Sequence, residues 1–560
     1  MSAGRRSLAL AAPHAAAVDA GRAAFADGGT AVDAALATCA TLTVVYPHMC
    51  SIGGDAIALV HAPDGTVTAV NGSGAAPAAL DAARVRAALE RDPAPVTRTG
   101  MPVRGPHTVT VPGVLAAWES LRQLGGALPP ARLLRPAIGF AAGGCPVSRS
   151  LAATLAWEPD LFAADPGLRA VFFRPARAGD EGHLRHGAPK SAVLPLNLGD
   201  SYRMPALAAS LETLACEGID AFYRGEVGSR YIAGLRATGS VMTPQDLARH
   251  ETEIVEPLHA TAFGHEFLTA PPNSQGYVLL QLLKATELLG AHPPDPLGPA
   301  AAMLAQLYRL TAGDRDRSLC DPRHGAVPLD DLLAAGHLRE LVERSLSHGP
   351  SDPSDGPSPS PGVLGGEPAA GDPATGDTIA CVAADSDGWA VSVIQSIYHG
   401  FGAAILEPTT GIVAHDRGAC FSLDPHSPNL VEGGKRPLHT LMPLMVRREG
   451  RLAITAGTMG GEAQPQIHAQ ILSRLLRGGD NVSPAVAAPR WIFDEGALLV
   501  EADVPEDARQ ALRSTGMRVE MLDRLDGSAG HAQYVRLTGD GGFEAAGDPR
   551  ADGTAWVGTT

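Results

Sequence analysis

The chain has 560 residues, of which 45% are hydrophobic, so it is long enough for several domains and apolar enough to bury a large core. A formal charge of −16 argues against the basic surface that nucleic acids and anionic membranes require. Seven scattered cysteines without a CxxC pair, and no apolar run near the ~18 residues of a membrane span, give a reduced, cytoplasmic chain with no metal cluster.

The apolar run at 8–12 is too short for a secretion signal and reads as a short strand. Pro13 is expected to open a helix that continues to about Phe25 and stops at Gly28-Gly29. Thr30-Ala31-Val32-Asp33 is an acidic capping box and starts an Ala-rich helix. Strands follow at 56–62 and 66–71 around the turn Pro63-Asp64-Gly65. From Gly113 to about Leu346 the periodicity is mostly helical, as at 114–124, 207–218 and 277–289.

Between Gly349 and Asp377 the chain is dominated by Gly, Pro, Ser and Asp, with no aromatic residue and almost no aliphatic one, too polar to offset its ordering entropy. A hairpin follows at once, with strands at 379–384 and 389–396 around Asp385-Ser386-Asp387-Gly388. Residues 452–456 form a strand that runs into Gly457-Thr458-Met459-Gly460-Gly461, with a helix from about 463 to 476. The stretch 498–557 reads as a small α/β segment, with a helix at 505–514 and Pro505 at its first helical position.

No phosphate loop, dinucleotide fingerprint, GxSxG elbow or HExxH occurs, and the histidines show no ligand spacing, so no cofactor or metal is expected. The junction Gly376-Asp377-Thr378 is where chemistry concentrates. A Thr hydroxyl is a poor nucleophile without a base, and cutting the chain before it frees its own α-amine for that task. A flexible approach and a rigid strand after it suit such a cut at Asp377-Thr378, although the segment alone also fits an interdomain linker. The consecutive N–H groups of Gly460 and Gly461 suit an oxyanion, or simply a tight strand-to-helix turn.

Taken together, the motifs resemble the γ-glutamyltranspeptidase family of N-terminal-nucleophile (Ntn) hydrolases. Gly28-Gly29-Thr30-Ala31-Val32-Asp33-Ala34-Ala35, Ile52-Gly53-Gly54-Asp55, Val111-Pro112-Gly113 and Ala221-Phe222-Tyr223-Arg224-Gly225 fall in the family's order. So do Ala270-Pro271-Pro272-Asn273-Ser274-Gln275-Gly276, Phe401-Gly402, Gly411-Ile412, Gly434-Lys435-Arg436-Pro437, Met459-Gly460-Gly461 and Ala488-Pro489-Arg490. The resemblance implies an α+β, αββα four-layer sandwich made as a precursor and self-cleaved into 1–377, with its tail 349–377, and 378–560. It implies Thr378 as nucleophile, Ser396 in contact with its hydroxyl, and Gly460 and Gly461 as oxyanion hole. The two fragments would remain partners as a heterodimer, able to pair further.

The departures bear on substrate. The segment that carries the family's carboxylate-binding Arg corresponds to the uncharged Ser73-Gly74-Ala75-Ala76-Pro77. The acidic residue for the α-amine falls on Cys420, the Ser-Ser pair on His439-Thr440, and an Asn and a Gln of the pocket on Tyr398 and Arg417. Charge-assisted contacts worth roughly 1.5–3 kcal/mol each are thereby lost. Pro102-Val103-Arg104-Gly105-Pro106 and Asp416-Arg417-Gly418 resemble the subgroup with oxamate amidohydrolase and cephalosporin-acylase-like proteins. The expected activity is hydrolysis of an amide or related acyl bond of a small carboxylated metabolite, with Arg417, Tyr398, His439, Thr440 and Ser73 lining the pocket. The alternatives are a carbon–carbon bond hydrolase of antibiotic biosynthesis, a genuine γ-glutamyl enzyme, and a non-enzymatic relative that is never cut.

Overall fold

A computed structural model describes residues 6–176, 193–347, 377–477 and 479–559. The predicted tail 349–377 lies outside the described residues except for Asp377, which begins a strand.

The strands of the two large sheets are β1 (Ser7–Ala12), β2 (Asp55–His61), β3 (Val67–Asn71), β4 (Glu253–Val255), β5 (Leu258–Ala262) and β6 (His265–Thr269). They continue with β7 (Asp377–Asp385), β8 (Ala390–Tyr398), β9 (Leu444–Arg448), β10 (Arg451–Met459), β11 (His531–Leu537), β12 (Phe543–Gly547) and β13 (Thr554–Thr559). One sheet has seven strands in the order β13-β1-β7-β8-β2-β3-β4, the other six in the order β12-β11-β10-β9-β6-β5. The helices that matter here are α1 (Ala15–Ala26), α2 (Ala31–Val45), α3 (Gly276–Glu287) and α4 (Gln464–Arg477).

Strand alternation sorts the core into layers. On β7, Ile379, Cys381 and Ala383 pack with the fully buried α2, while Val382 and Ala384 meet Met445 and Val535 of the other sheet. Ala380 joins Ile57, Ile394 and Leu441 between the sheets. The outer face of the six-stranded sheet is covered by Leu279, Leu280 and Leu283 of α3 and Ile467 and Ile471 of α4. The fold is thus mixed helix and sheet. Thr378 continues the row of Ala380 and Val382, which points toward the second sheet.

The capping box forms as read: Thr30 Oγ1 accepts from the Asp33 N–H, and the Asp33 carboxylate accepts from the Thr30 N–H. Pro13 does not open α1; His14 caps it, and Pro13 precedes the cap. Pro505 likewise is the N-cap of Glu506–Ser514 rather than its first turn. The stretch read as mostly helical also contains β4, β5 and β6, whose half-exposed faces leave only a weak apolar alternation. Nor is 498–557 a unit of its own: β11 and β12 join the six-stranded sheet, and β13 returns beside β1.

That return has a consequence for the expected subunits. In the seven-stranded sheet β7 lies between β1 and β8, and β8 lies against β2, so strands from the two sides of residue 377 are interleaved. In the other sheet β9 pairs with β6. Neither 1–377 nor 378–560 holds either of the two large sheets complete. Among the described residues no helix is long and apolar enough to cross a membrane.

Candidate active site

The β7–β8 pairing sets the site. Thr378 stands opposite Ser396, and a register shift falls between Asp377 and Thr378, at the bond the sequence singles out. Irregularities of this kind re-aim a side chain and are common beside active sites. Thr378 is buried, and its Oγ1 donates to Ser396 Oγ at 3.1 Å. Ser396 Oγ also accepts from the Tyr398 N–H at 2.8 Å and from Arg417 Nη2 at 3.2 Å. Tyr398 holds a φ of 79°, a conformation that L residues avoid and that is retained where function over-determines it.

Arg417 lies in the 3-10 turn Arg417–Cys420 and is only 1% exposed. Its Nη1 donates to Thr440 Oγ1 at 3.0 Å, and its guanidinium lies 4.3 Å from the centre of the Tyr398 ring. Among the described residues no carboxylate stands within ion-pair distance of it, which leaves a buried cation held only by hydroxyls, a thiol and a ring. Burial pushes the Cys420 thiol up, against the pull of Arg417. Burial also raises the Tyr398 phenol well above its usual range, so it stays protonated.

The glycine turn is joined to this cluster by Gln275, whose Nε2 donates to both the Thr440 and Gly461 carbonyls at 2.9 Å. Gly460 and Gly461 have φ of 144° and 51°, and a Cβ on Gly460 would strike Ile467. The strand β10 ends at Met459; Gly460 caps and Gly461 opens the 3-10 turn Gly461–Ala463, which lies before α4, so the pair does not start the α-helix directly. Among the described residues no hydrogen bond engages either N–H. Earlier in β10, Gly457 approaches Ala380, two residues beyond Thr378.

The structure brings Thr378, Ser396, Tyr398, Arg417 and Thr440 together, with Gly461 one residue away through Gln275. His439 and Ser73 stand behind them, fully buried. His439 Nδ1 accepts from the Leu441 N–H, and Nε2 meets Asp55 Oδ2 at 3.3 Å, so both ring nitrogens are engaged. Burial, with the Arg417 charge beside it, lowers its pKa to about 3 and keeps the ring neutral. Asp55 is buried, which opposes its charge, yet His415, His439 and Arg417 outweigh this and hold its carboxyl below the usual range. Ser73 donates to Asn71 Oδ1 at 2.7 Å and is tied to Asn273.

Sequence reading assigned no role to Asp55, Gln275 or the acidic and basic residues that brace the glycine turn. Glu462 follows Gly461 and pairs with Arg98 at 2.8 Å and Arg315 at 2.5 Å; Asp316 pairs with the same two arginines. Asp55 and Gln275 do lie in quoted motifs, so the signal was there without its meaning. Among the described residues no group of three or more His, Cys, Asp or Glu side chains is arranged to hold a metal ion.

Comparison with known proteins bears on this geometry. The family described as gamma-glutamyltranspeptidase matches residues 17–558. The chain is 34% identical over 556 residues to the oxamate amidohydrolase proenzyme of Klebsiella pneumoniae subsp. pneumoniae, covering 97% of each chain. It is 33% identical to the glutathione hydrolase-like YwrD proenzyme of Bacillus subtilis, again over 97% of each. Its structure resembles that of cephalosporin acylase from Bacillus halodurans with a TM-score of 0.84 and 29% identity, covering 99% of this chain and 96% of the other.

Proposed function

The chain belongs to the gamma-glutamyltranspeptidase family and is an enzyme of the Ntn-hydrolase class; on that premise we propose that it is a self-processing threonine amidohydrolase acting on a small carboxylated amide. Thr378 is the nucleophile, its α-amine, once freed, is the base, and Gly460 and Gly461 receive the oxyanion. The packing of each sheet between helices and the other sheet supports the four-layer αββα reading. The interleaved strands support a heterodimer of 1–377 and 378–560 that stays assembled after the cut.

One observation carries the substrate class: Arg417, a buried guanidinium without a carboxylate partner, hydrogen-bonded to the Ser396 that touches Thr378. A buried charge with no carboxylate in contact is expensive, and a substrate carboxylate offsets the cost. The uncharged Ser73 segment and Cys420 speak against an α-amino-acid head of the γ-glutamyl kind. The Klebsiella relative is named for oxamate, a compact anion whose carboxylate is the kind of group Arg417 could hold. The carbon–carbon alternative requires a proton donor. Tyr398, held protonated, suits that role, whereas the engagement of both His439 nitrogens speaks against His439.

Purified protein resolved on a denaturing gel should show fragments 1–377 and 378–560, and the processed protein should release ammonia from oxamate in preference to the aniline from a γ-glutamyl anilide. Thr378→Ala should remain one chain with no turnover, a loss on the order of 10⁴-fold or more. A Thr378→Ala protein that still splits at this bond, or still turns over, ends the proposal.

A further inference from the structure

Self-cleavage poses a problem that the mature mechanism does not. Before the cut, the Thr378 nitrogen is part of the Asp377–Thr378 amide and has no lone pair available as a base, so another group must take the hydroxyl proton. The neighbours already described are unsuited. Arg417 is a cation, the Tyr398 phenol is held protonated, and His439 uses both ring nitrogens. His415 Nε2 is bound to Thr110, and its Nδ1 faces the buried Asp55 at 3.6 Å.

His399 is different. Tyr398 is the register partner of Asp377, and His399 is the next residue along, on the Asp377 side of the scissile bond. The positive φ of Tyr398 turns the chain there, and the two rings lie 4.2 Å apart between centres. His399 Nδ1 is fixed at 2.6 Å by Asp416 Oδ2, whose other oxygen accepts from the His399 N–H. Asp416 is fully buried, which opposes ionisation, but His399 and Arg104 outweigh that and hold its carboxyl below the usual range. An ionised Asp416 keeps the proton on Nδ1 and leaves Nε2 with its lone pair. The side chain is 16% exposed, and no described group binds Nε2. The remaining charged neighbour on this side, Arg104, is spent on the Gly400 and Gly402 carbonyls and on Glu158.

Building on the self-processing reading above, we propose that the Asp416–His399 pair is the base of autocleavage. Nε2 takes the Thr378 Oγ1 proton through one water as Oγ1 attacks the Asp377 carbonyl carbon. The tetrahedral intermediate collapses with breakage of the carbon–nitrogen bond, and the imidazolium returns the proton to the departing Thr378 nitrogen. An ester between Asp377 and Thr378 Oγ1 results; water hydrolyses it to the Asp377 carboxylate and a free N-terminal Thr378. Asp416 is a positioning residue, acting only through the ring.

The test needs no knowledge of the substrate. Full-length chain is made by cell-free synthesis, and the appearance of the two fragments is followed on denaturing gels. His399→Ala should slow cleavage on the order of 10²-fold, and added imidazole should accelerate that variant while leaving the wild type unchanged. Asp416→Asn, which keeps the ring, should also slow cleavage, and imidazole should not rescue it. If His399→Ala does not fold, His399→Gln replaces it in the timing experiment. Wild-type timing in His399→Ala or His399→Gln, or a slow His399→Ala that imidazole fails to accelerate, overturns this proposal alone. A wild-type chain that is never cut before Thr378 overturns the reading it rests on.

Discussion

Two groups of buried arginines sit in very different company. In the C-terminal third, Arg490 Nη2 meets Asp548 Oδ2 at 2.5 Å, and Arg550 pairs with Glu501 at 2.6 Å and with Asp548 at 3.1 Å. Carbonyls of Val486, Ala488 and Gly530 take further guanidinium protons. Every charge there has its opposite inside the fold. At Arg417 the guanidinium is equally buried, yet its partners are the Ser396 and Thr440 hydroxyls, the Cys420 thiol and the Tyr398 ring. A closed network fixes a loop junction. An open one has room in its charge balance for an anion, and only the open one stands beside Thr378, the proposed nucleophile.

Breaking the closed network should have the larger effect on stability. Arg490→Met strips Asp548 of one partner in a dry environment, which costs on the order of 3–5 kcal/mol and shows as a melting temperature lower by several degrees. The fraction that folds should process and turn over normally. Unchanged melting would mean that the contrast between the two groups is wrong.

At the open site the balance reverses. Arg417→Gln removes a buried cation that no described carboxylate contacts, its influence on Asp55 being exerted at longer range, so melting should change much less than in Arg490→Met. Turnover of an anionic amide such as oxamate should fall about 10- to 100-fold in kcat/KM, the worth of one charge-assisted contact, while a neutral small amide loses much less. Equal losses on both substrates would assign Arg417 to the scaffold.

How much of this was legible follows from the reach of each contact. Thr378, the hairpin around Asp385 and the Thr30–Asp33 capping box are local features, where a few adjacent residues decide geometry, and they stand where the pattern puts them. The strands β4 to β6 were not, because their alternation is diluted by half-exposed polar residues such as His259 and Glu266. Gln275 was visible only as part of a motif; that it ties Thr440 to Gly461 depends on chain segments about two hundred residues apart meeting in the fold. His439 reads as a pocket residue from its place in the motif order, but Asp55, distant in sequence, claims its Nε2. His399 drew no attention because its fixing partner and its open nitrogen exist only once Tyr398 adopts a positive φ.

The two arginine sites do share one effect, on a neighbouring imidazole. His468 is lowered to about 3 by burial and then by Arg490, and His439 to about 3 by burial and then by Arg417. Both rings are neutral in the folded chain and titrate near 6.5 once unfolded. Above that pH neither contributes. As pH falls below it the unfolded chain binds the protons first, and stability is lost progressively down to about 3, at up to about 1.4 kcal/mol per pH unit for each ring. Melting should therefore drop between pH 7 and pH 4.5. In Arg417→Gln, burial and His415 still hold His439 down, but the Arg417 charge is gone, so its pKa rises and the drop becomes slightly shallower. Oxamate bound at Arg417 in Thr378→Ala, which does not turn it over, should shift the curve in the same direction by screening that charge. An acid dependence identical with and without Arg417 would place its charge too far from His439 to matter, and would loosen the cluster on which the substrate assignment depends.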